Sequence, residues 1–465
     1  MKMNHPKVSI ITPVYNGAEF LGETIQSVLA QTYHHFEYIL VDDVSPDDSA
    51  SVVEQFDDSR LKYIRHEENL GADRARLTGL QASSGEIIAF LDQDDFFHPE
   101  KLQVHVAYLK DHPDVGFTYN GRFELNFSEK TIRDIWRPPE EITLADLVLW
   151  FPLAPSDVVL RRDWALKIDM AKGSRGAEIL HFSHLYMAGC KFANVGRVLN
   201  YRRHHSGRII RNLAAACQSE LNNQDKIFDD DRCPPEVLAL RPAAHANMYM
   251  YWGYMAYAQN EVGLGQQFLR QAVQLKPAIL RGQPGELVVN LLTNCIADER
   301  LNHESLLRDI FSQLPLEATS IVEKLPWAIA QGYLLKGTRA VIWDRPADAE
   351  RHFRQAARLN AQIDEAYMSA VSYHLLGYEA EYGPEATQIR LRTLASYLNG
   401  MGTNVDISQL ISYFWINRAF QRYNQREYSE VPGAIFQAVV NNPRYMTNRG
   451  VISTLFRSVK GLNPK

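Results

Sequence analysis

The stretch EIIAFLDQDDFFHPEKL, residues 86–102, carries three carboxylates, Asp92, Asp94 and Asp95, with no basic residue between them. It begins as an apolar, β-compatible run from Glu86 to Leu91 and passes, after Pro99, into an amphipathic helical stretch. The acids therefore stand at the C-terminal end of a strand, where open α/β sheets bind ligands. Further polar loops, YNG, DDVSPDDS and ENLGADRAR, follow the strand-like runs 8–14, 36–43 and 61–66. Each alone reads as a solvated turn. Together they bring like charges to one edge, where they repel unless something cationic joins them.

The elements that must position these loops are legible from two alternating periods. Strand-like runs cover 8–14, 36–43, 61–66, 86–92 and 115–120, and helix-like pieces lie between them, such as 18–31 with apolar residues at 20, 21, 25, 28 and 29. Strands alternating with short helices predict βαβ units and a mostly parallel sheet. Right-handed crossovers put the strand C-terminal ends on one edge. From about 122 to 215 the pattern loosens into a loop, a short helix and a strand, then a helix, a short strand and the basic tail YRRHHSGR (201–208).

At 465 residues the chain suggests two or three domains, at about 100 to 200 residues each. The composition, 46% hydrophobic and 22% charged, is that of a soluble globular protein, and a net charge of −6 gives no general pull toward nucleic acid. Four scattered cysteines lack CxxC or Cys/His spacing, which predicts neither a zinc site nor a disulfide framework and suits a reducing cytoplasm. There is no apolar stretch of transmembrane length. Attachment at the membrane periphery is left open.

DDDRCPPE (229–236) reads as part of a linker over 226–242, dividing a domain at 1–225 from a helical one at 243–465. The first divides again into a half at 1–120 and a second-substrate half at 121–225. The helical region repeats weakly: GLGQQFLRQAVQLKP, ADAERHFRQAARLNA and SEVPGAIFQAVVNNP align on Ala272, Ala356 and Ala438, 84 and 82 residues apart. Gly253, Gly337 and Ala419 fall nineteen residues upstream, where small side chains let helices approach. The pattern resembles tetratricopeptide repeats, with units more widely spaced than the usual period of about 34.

VSIITPVYNGAEFLGETIQSVLAQTYHHFEYILVDDVSPDDS, then NLGADRARLTGL, then GEIIAFLDQDD resemble the N-terminal half of family 2 glycosyltransferases of the GT-A fold, with the landmarks in order from about 7 to 120. The resemblance implies an α/β GT-A domain, Rossmann-like, followed by the all-α part. It implies nucleotide contacts by Pro13, Tyr15, Asp43, Arg76 and Asp92, and a Mg²⁺ or Mn²⁺ ion held by Asp94 and Asp92 with Asp95 in support. Such an ion can neutralise a departing diphosphate as a Lewis acid. Asp42 is expected as a cap. Leu77 stands where the family usually has Asn after the Arg.

Inverting members need a general base for the acceptor hydroxyl, usually from a Glu-Asp pair. In SRGAEILHFSHLYMAGCKFANV only Glu178 is available, at the Glu or the Asp position depending on the alignment. Its competing role is a first-turn Glu on a helix dipole. His181 and His184 lack the partners of a metal site, and His204 could reach the diphosphate. The expected activity is inverting, metal-dependent transfer of a hexose from a nucleoside-diphosphate sugar, UDP favoured, to a hydroxyl of a glycan, lipid-linked or protein acceptor, as in polysaccharide biosynthesis. The alternative is a degenerate nucleotide-sugar-binding domain acting as a scaffold through helical repeats that bind a protein partner.

Overall fold

The computed structural model describes residues 5–126, 131–150, 153–170, 174–204, 212–297, 301–401 and 407–462. The chain forms two compact units, Met1–Asn294 with Asp309–Val322, and Cys295–Arg308 with Glu323–Lys465.

The first unit is built on a nine-stranded sheet. Its strands are β1 (Val8–Val14), β2 (Phe36–Asp42), β3 (Leu61–Arg65), β4 (Ile87–Phe90), β5 (Phe96–Phe97), β6 (Val115–Leu125), β7 (Ile132–Trp136), β8 (Val158–Arg161) and β9 (Lys191–Arg203). Their order is β3-β2-β1-β4-β8-β6-β9-β5, with β7 on β6. The helices are α1 (Ala18–Leu29), α2 (Ser49–Val53), α3 (Ala72–Ala82), α4 (Lys101–Asp111), α5 (Leu144–Trp150), α6 (Arg162–Ala165), α7 (Glu178–Met187), α8 (Leu213–Phe228), α9 (Pro235–Leu238), α10 (Arg241–Ala258) and α11 (Val262–Leu275).

Strands β1 to β4 pair in parallel, as the βαβ pattern requires. β1 and β2 are buried almost throughout, which is why they read as near-continuous apolar runs. α3 lies close to the sheet through Gly79, where a Cβ would come within 2.4 Å of Ile11 Cγ2. Beyond β4 the sheet is mixed: β8 runs antiparallel to both β4 and β6, while β9 is parallel to β6. The sequence pattern omits β7 and shortens β9 because half of β9 is solvated and Asn194, Gly196 and Arg197 interrupt its apolar alternation. The fold is that of a GT-A domain, a curled mixed sheet with helices, followed by a largely helical part.

Residues 226–242, expected as a linker, lie inside this unit. Ile227, Phe228 and Val237 share one core with Ile179, Phe182 and Leu185 of α7. The proline pair opens α9, with Pro235 at its first helical position, a place where the missing N–H costs nothing. The sequence division and the compact units therefore do not coincide.

The chain passes between the units three times, within α12 (Glu286–Ala297), within α13 (His303–Ser312) and within the 3₁₀ segment Leu316–Lys324. The second unit continues with α14 (Leu325–Ile342), α15 (Pro346–Arg358), α16 (Glu365–Gly400), α17 (Ile407–Asn424), α18 (Val431–Asn441) and α19 (Arg449–Leu462). α16 is broken at Gly383, whose φ of 82° is followed by Pro384; the proline can neither donate nor fit the preceding turn of a continuous helix. None of the described helices is long and apolar enough to cross a membrane.

Each of the three aligned segments forms the second arm of a helical hairpin: α10/α11 in the first unit, α14/α15 and α17/α18 in the second. Ala272, Ala356 and Ala438 are fully buried. A Cβ on Gly253 would lie 2.6 Å from Leu269, and one on Gly337 would lie 3.0 Å from the Phe353 ring. The hairpin turns also match: Asn260, Asp344 and Arg426 all adopt positive φ, at the same 84- and 82-residue spacing. The repeat is thus carried by turn geometry as well as by small residues.

Candidate functional site

The strand-end loops are tied to one another by Gln93. Its Oε1 accepts from Tyr15 N–H (2.7 Å) and its Nε2 donates to the Tyr15 carbonyl (2.8 Å), joining the loops after β1 and β4. With its backbone fixed, Tyr15 leaves its side chain half exposed, an open aromatic face beside half-buried Pro13 at the end of β1.

At the end of β2 the two acids do different work. Asp42 accepts from Ser45 N–H (2.7 Å) and from the Tyr63 hydroxyl, which makes it a turn former. Asp43, 2% exposed, accepts from Leu70 N–H (2.8 Å) and Gly71 N–H (2.7 Å) and pairs with His66 Nδ1 (2.8 Å). A carboxylate has about four acceptor directions, so one is left for a ligand N–H. Asp43 shapes the loop that carries the start of α3.

Arg76, on α3, is the centre of the site. Its Nη2 donates to Asp92 Oδ1 at 2.7 Å, and its Nη1 to Asp73 Oδ1 at 3.0 Å and Glu178 Oε1 at 3.2 Å. The guanidinium is 7% exposed, and the carboxylates around it outweigh burial and hold its proton firmly. Burial pushes the Asp73 carboxyl up, against the pull of Arg76. Three carboxylates thus surround one cation. Leu77, the departure from the usual Asn, packs as a partly buried apolar residue against the sheet's core.

Asp94 lies half-buried in the turn after Asp92. Asp95 is 2% exposed; Ser156 Oγ donates to its Oδ2 at 2.8 Å and Arg203 N–H to its Oδ1 at 3.4 Å. Asp95 therefore braces β9 and the Ser156 turn. Among the described residues no three His, Cys, Asp or Glu form a ready cage. A hard divalent cation needs no such cage, since one or two carboxylates and several waters suffice. Asp94 and the remaining oxygen of Asp92 fit that requirement, and the excess of negative charge around Arg76 favours it.

His204 pairs with Glu124 and lies 3.1 Å from Arg133 Nη2; burial lowers its pKa while Glu124 pulls it up. These partners on β6 and β7 hold the ring. The rest of the basic tail, 205–208, lies outside the described residues. His181 is buried and pushed down to about 4 by burial, and His184 sits 3.6 Å from Asp230.

Glu178 opens α7. Its Oε1 accepts from Arg76, and its Oε2 has no hydrogen-bond partner among the described residues. The loop before it is held by α8: Asn223 Nδ2 donates to the Arg175 carbonyl (2.9 Å), as does Ser219 Oγ (3.2 Å), while Ser174 Oγ donates to Asn223 Oδ1 (2.9 Å). Glu220, on the same helix, sits under Gly176, where a Cβ would lie 2.6 Å from its Cγ. It accepts from Trp252 Nε1 of α10 at 3.1 Å. Burial lifts Glu220 to about 7 against Arg175 and the Trp252 hydrogen bond, and the Glu178 charge adds to the rise. Sequence reasoning missed Gln93, Asp73 and Glu220. Gln93 stands inside the quoted acidic run, so its position was a signal, whereas Glu220 lies in an ordinary helical pattern with none.

The model of the family described as "Glycosyl transferase family 2" matches residues 9–164. The chain is 30% identical over 206 residues to UDP-Glc:alpha-D-GlcNAc-diphosphoundecaprenol beta-1,3-glucosyltransferase WfaP of Escherichia coli, covering 44% of this chain and 80% of WfaP. The chain belongs to glycosyl transferase family 2. It is also 32% identical over 168 residues to the putative teichuronic acid biosynthesis glycosyltransferase TuaG of Bacillus subtilis (strain 168). That match covers 36% of this chain and 66% of TuaG, a little under two thirds of the relative's length. Among solved structures, S. aureus TarS 1–349 in complex with UDP-GlcNAc is similar at a TM-score of 0.41 and 16% identity, covering 77% of this chain and 93% of that one. Family membership rests on the sheet domain, and Glu178, Glu220 and the hairpins lie beyond the residues that the family model matches.

Proposed function

We propose that the sheet domain transfers a sugar, with inversion, from a nucleoside-diphosphate sugar to an acceptor hydroxyl. The observation that carries this reading is the three-way grip of Arg76, which links Asp92 at the end of β4 to Glu178 at the start of α7. The donor side and the base candidate thereby meet on one guanidinium. Tyr15 offers the base a stacking face, Asp43 retains one acceptor direction for its N–H, and Pro13 lines the same strand end. Arg76 anchors the carboxylates and can donate to the donor's oxygens once they are displaced.

Glu178 deprotonates the acceptor hydroxyl through Oε2 as the oxygen attacks the anomeric carbon and the nucleoside diphosphate leaves from the opposite face. Arg76 on Oε1 keeps the carboxylate oriented. When bound at Asp94 and Asp92, Mg²⁺ or Mn²⁺ would supply charge neutralisation to the diphosphate.

UDP is the favoured donor nucleotide and a lipid-linked glycan the favoured acceptor. The names of WfaP and of the related E. coli WfgD, 36% identical over 155 residues, both specify UDP-Glc and a diphosphoundecaprenol acceptor. The hairpins resemble tetratricopeptide units and are proposed to position an acceptor or bind a protein partner. A second reading, a nucleotide-sugar-binding scaffold without turnover, is favoured by one observation: Glu178, between Ala177 and Ile179, is a single carboxylate where a pair is usual. The test is thermal stability against UDP, GDP, dTDP and CDP, each with and without Mn²⁺. A UDP-selective, Mn²⁺-dependent rise is expected, and no rise with any nucleotide would overturn the donor site.

A further inference from the structure

The last helices of the second unit present a surface unlike the rest of the chain. Residues 431–465 contain Arg444, Arg449, Arg457, Lys460 and Lys465 and no Asp or Glu. The formal charge of −6 is thus the balance of +5 here and −11 over residues 1–430. The same segment leaves large apolar side chains in water: Phe436 is 63% exposed, Val440 60%, Met446 65%, Phe456 66% and Val459 47%.

Helical spacing shows that these are outward faces and not frayed core. In α19, Val451, Thr454 and Ser458 are buried, and Val451 belongs to the unit's core. At 100° per residue, Arg449, Phe456 and Val459 fall on the opposite side. In α18 the buried set is Val431, Ala434, Ile435 and Ala438, with Phe436 and Val440 one turn apart on the outer side. Arg444, Arg449 and Arg457 are exposed as well. An amphipathic helix that is basic, without acids, and tipped by Phe and Val matches the chemistry of an anionic bilayer surface, where apolar side chains enter the headgroup boundary and the arginines meet lipid charge.

We propose that the α18–α19 segment is a membrane-docking surface that binds anionic lipid. The inference rests on these residues alone and stands or falls separately from the sugar-transfer reading. It is tested by co-sedimentation of the full chain with vesicles of phosphatidylcholine alone or of phosphatidylcholine with phosphatidylglycerol, at low and high salt. Binding to the anionic vesicles only, weakened by salt, is expected. Arg449→Gln and Arg457→Gln should each lower the partition coefficient about fivefold, the effect of roughly one surface cation. Phe456→Ser with Val459→Ser should abolish binding while the thermal unfolding midpoint stays that of the wild type, because both side chains are already in water. No binding to anionic vesicles, equal binding to neutral ones, or wild-type binding by the double variant would overturn the proposal. So would a dimer that the double variant dissociates in the absence of any lipid binding, which would make a second copy of the chain the occupant of this face.

Discussion

Replacing Glu220 by Gln should stabilise the protein at neutral pH and leave it unchanged near pH 4.5. The folded chain lifts this carboxyl from 4.5 to about 7, so between those values the native state holds a proton that the unfolded state has released. Its stabilising contribution is therefore complete below about 4.5 and lost as pH rises through 7. A shift of this size corresponds to about 3 kcal/mol. Glutamine stays neutral and keeps an oxygen for Trp252 Nε1. Urea unfolding of both proteins across this range isolates the effect as a difference, which matters because His181, His303 and His352, each lowered to about 4, give a slope of opposite sign below about 6.5. The variant should gain up to about 3 kcal/mol over the wild type by pH 8. A difference that does not change with pH would refute the placement of Glu220 in a buried pocket beside Glu178.

Arg76→Ala leaves Asp73, Asp92 and Glu178 facing one another without a cation, and denaturant unfolding should show a loss of about 3 to 5 kcal/mol, together with loss of turnover. Asp94→Asn should retain the fold, seen as an unchanged far-ultraviolet circular dichroism spectrum, and abolish the Mn²⁺-dependent part of nucleotide binding measured by calorimetry. Gly337→Val forces a branched side chain against the Phe353 ring, already 3.0 Å from an added Cβ, and should lower stability by about 1 to 3 kcal/mol in urea titration; an unchanged midpoint would remove the close approach of α14 and α15.

The parallel half of the sheet was legible because buried parallel strands are continuous apolar runs and their crossover helices keep a 3.6-residue period. The acidic edge followed from topology, since Asp43 and Asp92 stand at strand ends whatever their contacts. What the sequence concealed were the partners. Asp95 reads like Asp94, yet a single residue's difference in position turns it into the core against Ser156. Asp43 reads as an open ligand and is mostly committed to the backbone of residues 70 and 71. The residues that hold the Glu178 loop come from α8, 44 to 49 residues further along the chain, because helix packing is specified by faces that local composition does not reveal. The hairpin repeat was visible in its alanines, while the matching positive-φ turns at Asn260, Asp344 and Arg426 were not, since only the first two are residue types that favour that conformation.

In the proposed sugar transfer Glu178 is the base and the donor is gripped by other residues. The most direct test is Glu178→Gln, assayed for donor-nucleotide binding and for transfer to an acceptor in the same preparation. Nucleotide affinity should stay within a few-fold of wild type while transfer falls by about 10²- to 10⁴-fold, the range lost with a positioned proton acceptor. Transfer at the wild-type rate would contradict that role for Glu178.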